Sequence, residues 1–252
     1  DDFDIVKEGG SVLLVYVDGT QGWKVTSASQ ANDITNAEYI VATGGTVTTC
    51  GNFKIHTFTG PGTFSVSSVG NSAGSNTVDY LVIAGGASGG AHGGGGGGAG
   101  GYRESSGAAS GCYTVSPLGS GVSALPVSAS PGSYPITVGG GGSGSPNTCG
   151  SDGSNSSFST ITSTGGGGGG GGGSPPKTGR TGGSGGGSGG QPTTSGAAGN
   201  TPPVSPPQGN PGGATAPPFR NGGGGGATAA GTDGSGSVAG PGGAGATSSI
   251  NG

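Results

Sequence analysis

The chain has 252 residues, of which 70 are glycine and 17 proline; 27% are apolar, 7% are charged and the formal net charge is −4. That balance excludes an ordinary apolar core over most of the length, and seven Lys and Arg residues spread along the chain are too few to neutralise a nucleic-acid backbone. No stretch reaches the ~20 apolar residues of a membrane helix, so neither nucleic acid nor membrane insertion is expected.

Glycine loses more backbone entropy on folding than any other residue, and a Gly/Pro-rich composition often means disorder. Disordered chains, however, usually carry high net charge, whereas this one draws its polarity from Ser, Thr and Asn. The chain opens Asp1-Asp2-Phe3-Asp4, without a basic and then apolar leader, and holds no methionine. It reads as a fragment or a processed product.

Residues 3–26 alternate as strands do. Val12, Leu14 and Tyr16 fall on one face, Leu13, Val15 and Val17 on the other, and Asp18-Gly19 supplies a turn before Trp23-Lys24-Val25. The pattern predicts a β-hairpin buried on both faces. Two strands alone are marginal in water, so the hairpin is expected to lie in a larger β domain or to pair with another subunit. Glu38 to Ala42 is strand-like; Phe53 to Phe58, the Gly60-Pro61-Gly62 turn and Thr63 to Val66 read as strand, turn, strand. The apolar run Val78 to Ala84 predicts a strand covered on both sides and the strongest core element. No window shows a 3.6-residue period, and Gly and Pro would interrupt any helix, so essentially no α-helix is expected.

After Ala84 come glycine runs at 93–98, 139–142, 165–173, 182–190 (interrupted by Ser184 and Ser188) and 222–226, joined by polar or Pro-rich connectors. Tyr134 to Val138 and Phe158 to Ile161 are strand-like pieces leading into glycine. Collagen is rejected, because a triple helix needs strict Gly-X-Y and these glycines are consecutive. A flexible linker accounts for 182–190 alone, but linkers rarely alternate with β-branched anchors. The remaining reading is a bundle of extended polyglycine or polyproline-II-type helices, three residues per turn, whose backbones approach closely and satisfy one another's N–H and C=O groups.

Three cysteines, Cys50, Cys112 and Cys149, are too few and too far apart for a zinc site. One disulfide with a thiol left over is compatible with them; a Cys112 to Cys149 bridge would close a long Gly/Ser-rich loop, but spacing does not fix connectivity. Matches to G-x-G-x-x-G are numerous and none sits between a strand and a helix. Gly173 to Thr178 resembles a phosphate loop, but it lacks the glycine before Lys177 and no helix follows. His56 and His92 have no metal-spaced partners, and no nucleophile, base and orienting group come together. No enzyme, cofactor or metal is therefore expected. The aromatic and cationic residues of the connectors, Tyr102, Arg103, Tyr113, Phe219 and Arg220, are the candidates either for contacting a receptor or for capping the glycine bundle.

Phe53 to Phe64, then Val78 to Gly86, then Gly96 to Arg103, with Tyr134 to Gly140 and Asn155 to Ile161 following in order, resemble the glycine-rich domain of tailed-bacteriophage tail-fibre and adhesin proteins, over about residues 40–250. The resemblance implies a structural component of a virion fibre, a homo-oligomer with a trimer favoured. It would meet other fibre proteins, and its connectors would reach a bacterial surface glycan or outer-membrane protein. It also implies that 1–50 is the end of a fibre-type β domain and connector, that 51–84 holds strands anchoring the rod, and that 85–252 is the glycine-rich bundle. A self-assembling filament or shaft without receptor binding is the first rival reading. A glycine-rich ice-binding protein is the second, opposed by Pro-rich connectors that interrupt any flat face. A polysaccharide-degrading enzyme would need paired carboxylates, and the acids are sparse and in unrelated segments.

Overall fold

The computed structural model describes residues 3–5, 12–18, 22–28, 34–71, 74–107, 113–144, 148–173, 176–190, 194–218 and 220–250. It is mainly β, with no helix among the described residues. The strands in chain order are β1 (Phe3–Ile5), β2 (Val12–Asp18), β3 (Gly22–Ala28), β4 (Ile34–Asn36), β5 (Val41–Thr43), β6 (Thr46–Cys50), β7 (Phe53–Thr57), β8 (Gly62–Ser68), β9 (Thr77–Val78), β10 (Leu81–Ile83), β11 (Tyr102–Glu104), β12 (Leu125–Pro126), β13 (Ser133–Thr137), β14 (Ser156–Phe158) and β15 (Ile161–Ser163). The chain forms two compact units. One comprises Asp1–Thr43, Ser65–Val78 and Pro126–Ser133, the other Gly44–Phe64, Asp79–Leu125 and Tyr134–Gly252.

In the first unit β1 pairs with β4 and β2 with β3, both antiparallel. The expected hairpin forms, with register shifts between Leu13 and Leu14 and between Tyr16 and Asp18. Its predicted burial on both faces does not appear among the described residues: Leu13 on one face and Tyr16 on the other are 60% and 53% exposed, and the described strands pair β2 with β3 as a two-stranded sheet. Residues Ser65 to Ser68 of β8 pair with β5. The chain is pinned there by Asn71, whose Oδ1 accepts from Glu38 N–H (3.1 Å) and Gly74 N–H (3.0 Å) while its own N–H donates to Glu38 C=O (3.1 Å).

In the second unit β6 and β7 form a hairpin closed at Gly51 (φ 56°), a conformation that costs glycine nothing. β13, β14 and β15 pair in succession, antiparallel, so Phe158 to Ile161 is a tight turn with Ser159 at φ 53° rather than one strand. A small apolar core gathers here. Phe64, 6% exposed, meets His56 edge-on at 5.1 Å between ring centres and Phe158 at 5.8 Å, and Tyr134 packs 6.2 Å from Phe158. Such edge-to-face contacts contribute about 0.5–1.5 kcal/mol each beyond area burial.

The Val78 to Ala84 run behaves differently from its prediction. It breaks after Val78 because Tyr80 leaves the strand ladder for a side chain, its N–H donating to Ser105 Oγ at 3.0 Å. Beyond the break, Tyr80, Val82 and Ala84 are buried while Ile83 is 53% exposed. One face is covered, not two.

Glycine supplies most of the remaining interior. Residues 165–171, 182–190 and 222–227 are buried throughout, and their backbone groups bond to other segments in a repeat of three. Gly166, Gly169 and Gly172 donate to the carbonyls of Gly85, Ser88 and Ala91 (2.9, 3.0 and 2.9 Å). Gly167 and Gly170 donate to Ser184 and Gly187 (both 2.9 Å), and Gly165 and Gly168 to the Oδ1 atoms of Asn155 and Asp152 (both 2.9 Å). The 182–190 segment repeats the pattern: Ser184 and Gly187 donate to Ala99 and Gly96, Gly185 and Ser188 to Asn210 and Gly213, Gly186 and Gly189 to Arg180 and Lys177. Buried N–H groups must find partners, and here three neighbouring segments provide them in rotation. A Cβ at Gly168, Gly186 or Gly224 would enter the backbone of the adjacent segment, which is why these positions carry none.

Candidate functional site

Pairing of β10 with β11 sets Glu104 opposite Leu81 and Tyr102 opposite Ile83. Tyr102 and Glu104, two residues apart on one strand, therefore point the same way, and both are buried, at 6% and 1% exposed. The Tyr102 hydroxyl donates to Glu104 Oε2 at 3.0 Å and Ser116 N–H donates to the same oxygen at 2.9 Å. The other carboxylate oxygen, Oε1, is buried and accepts no hydrogen bond from the described residues.

Ser105, fully buried, ties in the neighbouring segment. Its N–H donates to Tyr80 C=O (3.0 Å) and its Oγ donates to Asp79 Oδ1 (2.7 Å). The Tyr113 hydroxyl lies 3.2 Å from both Ser105 Oγ and Ser105 C=O. Thr114 N–H donates to Ser249 Oγ (2.9 Å), bringing in the last described segment. Two acids 25 positions apart in sequence thus share one cluster. Burial pushes the Tyr102 and Tyr80 phenols up from their ordinary value. The Tyr113 phenol is pushed up to about 12 by burial first, with the charges of Asp79 and Glu104 acting in the same direction.

A raised phenol affinity for its proton has a defined sign. Below pH 10 the folded and unfolded forms are both protonated; above it the unfolded chain loses a proton that folded Tyr113 keeps. Stability should therefore fall as pH rises from 10 towards 12, and Tyr113→Phe should show a shallower loss over that window. Urea unfolding at pH 8, 10 and 11.5 reads this directly, and parallel slopes for the two proteins would remove Tyr113 as the cause.

Of the residues singled out from sequence, Tyr102 lies inside this cluster and Tyr113 lines it. Arg103 is half-buried on the opposite face of β11, its guanidinium 3.5 Å from Thr162 C=O. Arg220 is half-buried, bridged to Ala216 by backbone bonds, and its Nε donates to Gly236 C=O at 3.2 Å. Phe219 lies outside the described residues. His56 Nδ1 sits 2.8 Å from Gly44 C=O in the aromatic core, and Lys177 C=O accepts from Gly189 N–H at 2.8 Å. Cys149 is a buried free thiol whose Sγ–H donates to Pro176 C=O at 3.1 Å, Cys50 ends β6 half-buried, and Cys112 lies outside the described residues.

Sequence reasoning missed Glu104, Ser105, Asp79 and Gln208. Alternation across Tyr102, Arg103 and Glu104 was the one available signal for Glu104. Gln208 is wholly buried, its Oε1 accepting from Thr164 N–H (2.8 Å), its Nε2 donating to Pro202 C=O (3.1 Å) and its C=O accepting from Tyr102 N–H (2.9 Å). It thereby fastens the 200–208 connector beside β11. A shallow open depression of about 370 Å³ around Phe58, from Gly44 to Thr46 and Thr57 to Thr63, has no titratable side chain in its lining.

These features define a class of mainly β protein in which hydrogen bonding between glycine segments takes over where apolar packing is scarce. A family model described as a glycine-rich domain matches residues 57–252. The chain belongs to that glycine-rich domain family. No curated protein and no solved structure matches it.

Proposed function

We propose that the chain is a non-enzymatic structural and binding component of a bacteriophage virion fibre, extracellular, assembled as a homo-oligomer with a trimer favoured. Its glycine-rich part is read as a bundle of extended polyglycine helices serving as a stiff support. The observation that carries this reading is the three-residue repeat in which successive N–H groups of 165–172 and 182–190 address three different neighbours. A backbone with three residues per turn and no internal hydrogen bonds has that property. Such a support leaves the connectors to meet a partner. Pro203, Ser205 and Pro207 are exposed on a connector whose base is held by Asn200 Oδ1, which accepts from Val204 N–H (3.1 Å) and Gln208 N–H (3.2 Å). An anchored loop with an exposed crest suits recognition of a bacterial surface glycan or outer-membrane protein.

The test is binding of the labelled full chain to a panel of bacterial cells, with electron micrographs of the assembled protein. Fibres and saturable binding to a susceptible strain are expected. Replacing Pro203, Ser205 and Pro207 together by Ala should keep the melting temperature and abolish binding. A fibre that binds no strain would mean a shaft without receptor function, and an absence of both fibres and binding would sink the proposal.

A further inference from the structure

Phe58 stands apart from the other aromatic residues of its unit. It follows β7 half-buried, outside the ring contacts that join His56, Phe64, Tyr134 and Phe158 among the described residues. What lies against it is glycine. A Cβ added at Gly44, Gly45 or Gly62 would stand 3.2, 3.1 and 3.1 Å from carbons of the Phe58 ring, so at three surrounding positions the ring has no side chain over it. Gly44 and Gly45 take φ values of 112° and 65°, which glycine adopts without steric cost. His56 Nδ1, 2.8 Å from Gly44 C=O, holds that bend in place. The result is the open depression of about 370 Å³ centred on Phe58.

The polar part of its lining is hydroxyl. Thr46 and Thr57 are direct partners across the β6–β7 ladder and therefore share one side of the hairpin; Thr59 and Thr63 lie on the same depression. All four threonines are exposed, and no hydrogen bond ties their hydroxyls to another described residue. Each hydroxyl can both donate and accept. The lining carries no charged side chain.

We infer that this depression is a saccharide subsite, in which the C–H face of a neutral pyranose ring lies on Phe58 and the sugar hydroxyls exchange hydrogen bonds with the threonines. An aromatic surface beside a few placed polar groups is the usual make-up of a small-ligand site, and the volume falls at the lower end of the ~300–1,000 Å³ such sites span. The lining offers a phosphate or carboxylate no cationic partner, which selects an uncharged sugar. An apolar partner would cover the threonine hydroxyls without pairing them, at a desolvation cost. The site lies among the strands and not on the 200–208 connector, and it does not depend on the fibre reading.

Saturation-transfer NMR on the full chain reads the contact, with lactose, maltose and cellobiose as probes and glucose 6-phosphate as the charged comparison. At least one neutral disaccharide is expected to take up saturation at its ring C–H protons in a saturable manner, and glucose 6-phosphate is expected to take up none. Phe58→Ala should abolish the transfer. Because losing a half-buried ring can disturb the fold, Thr46→Val combined with Thr57→Val is the second variant: it keeps the β-branched shape that strands favour. That protein should melt like the parent and bind roughly tenfold more weakly, having lost two hydrogen-bonding groups. Transfer that survives in the Phe58→Ala protein would put the sugar elsewhere and overturn the inference. Uptake by none of the neutral sugars, equal uptake by glucose 6-phosphate, or unchanged affinity in the folded double-valine protein would overturn it as well.

Discussion

Gly168→Val is expected to destroy cooperative unfolding of the glycine-rich unit, with a loss of at least about 4 kcal/mol, the range in which single substitutions become exceptional. A Cβ on residue 168 would lie within the Gly150 carbonyl and close to the Arg180 side chain. Both sides of the contact are main chain, so no rotamer change relieves it. The 148–153 segment must withdraw, and withdrawal breaks the bonds from Gly150 N–H to Gly169 C=O and from Gly153 N–H to Gly166 C=O, at 2.8 and 2.9 Å. Each orphaned buried group then costs about 1–3 kcal/mol. The matched control is Gly140→Ala, where an added Cβ meets nothing within 4 Å. There the substitution should stabilise by a few tenths to about 1 kcal/mol, through the narrower unfolded ensemble. Calorimetry on the pair distinguishes a requirement for glycine as such from a requirement for space. Equal melting of the parent and the Gly168→Val protein would contradict the packing described for 165–172.

The second large effect is expected at Gln208. Gln208→Ala removes the acceptor of Thr164 N–H and the donor to Pro202 C=O in a place with no exposure to water. Two unsatisfied main-chain groups and a void the size of an amide should together cost about 3–5 kcal/mol. The loss should be local first, because Gln208 joins the 200–208 connector to Tyr102 and Thr164. Amide exchange is expected to accelerate at Tyr102 and Thr164 more than at Gly185 or Gly187, whose N–H groups bond elsewhere. Gln208→Glu is the useful companion: it keeps an acceptor for Thr164 but sets a buried carboxylate against Pro202 C=O, so at neutral pH it should be at least as destabilised as the alanine variant. If alanine and parent unfold at the same denaturant concentration, the connector is not held by this side chain.

Sequence alone made parts of this molecule readable. β7, β8 and β13 announce themselves because β-branched and aromatic residues alternate between Gly-Pro or Gly-rich turns, and the β2–β3 hairpin was visible for the same reason. What lay beyond reach were contacts between distant segments. Nothing in Val78 to Ala84 says that Ser105 will draw Tyr80 out of the strand, so a single run became two short pieces. Glu104, a charge in a polar connector, reads as a solvent-facing residue until β10 is placed beside it. Gln208 sits among prolines and looks like linker. Hydrophobic periodicity detects which face a residue takes relative to its own backbone, and it carries no information about which remote hydroxyl or amide will close a buried bond. The glycine runs show the opposite case: their composition declares close backbone approach, but their partners are set by geometry that side-chain patterns cannot encode.

The rotation of hydrogen bonds around each glycine segment carries a hazard of alignment. A strand of bare glycine displaced by three positions would present every N–H to the same kind of acceptor as before, so the main chain by itself scarcely distinguishes the correct phase from its neighbours. Ser184 and Ser188 break that translational sameness. Their hydroxyls donate to the carbonyls of Gly226 and Ser195, and because they stand four apart, a shift of three cannot return either one to a serine position. Two hydroxymethyl groups within nine buried residues therefore act as a vernier, fixing where an otherwise featureless segment comes to rest.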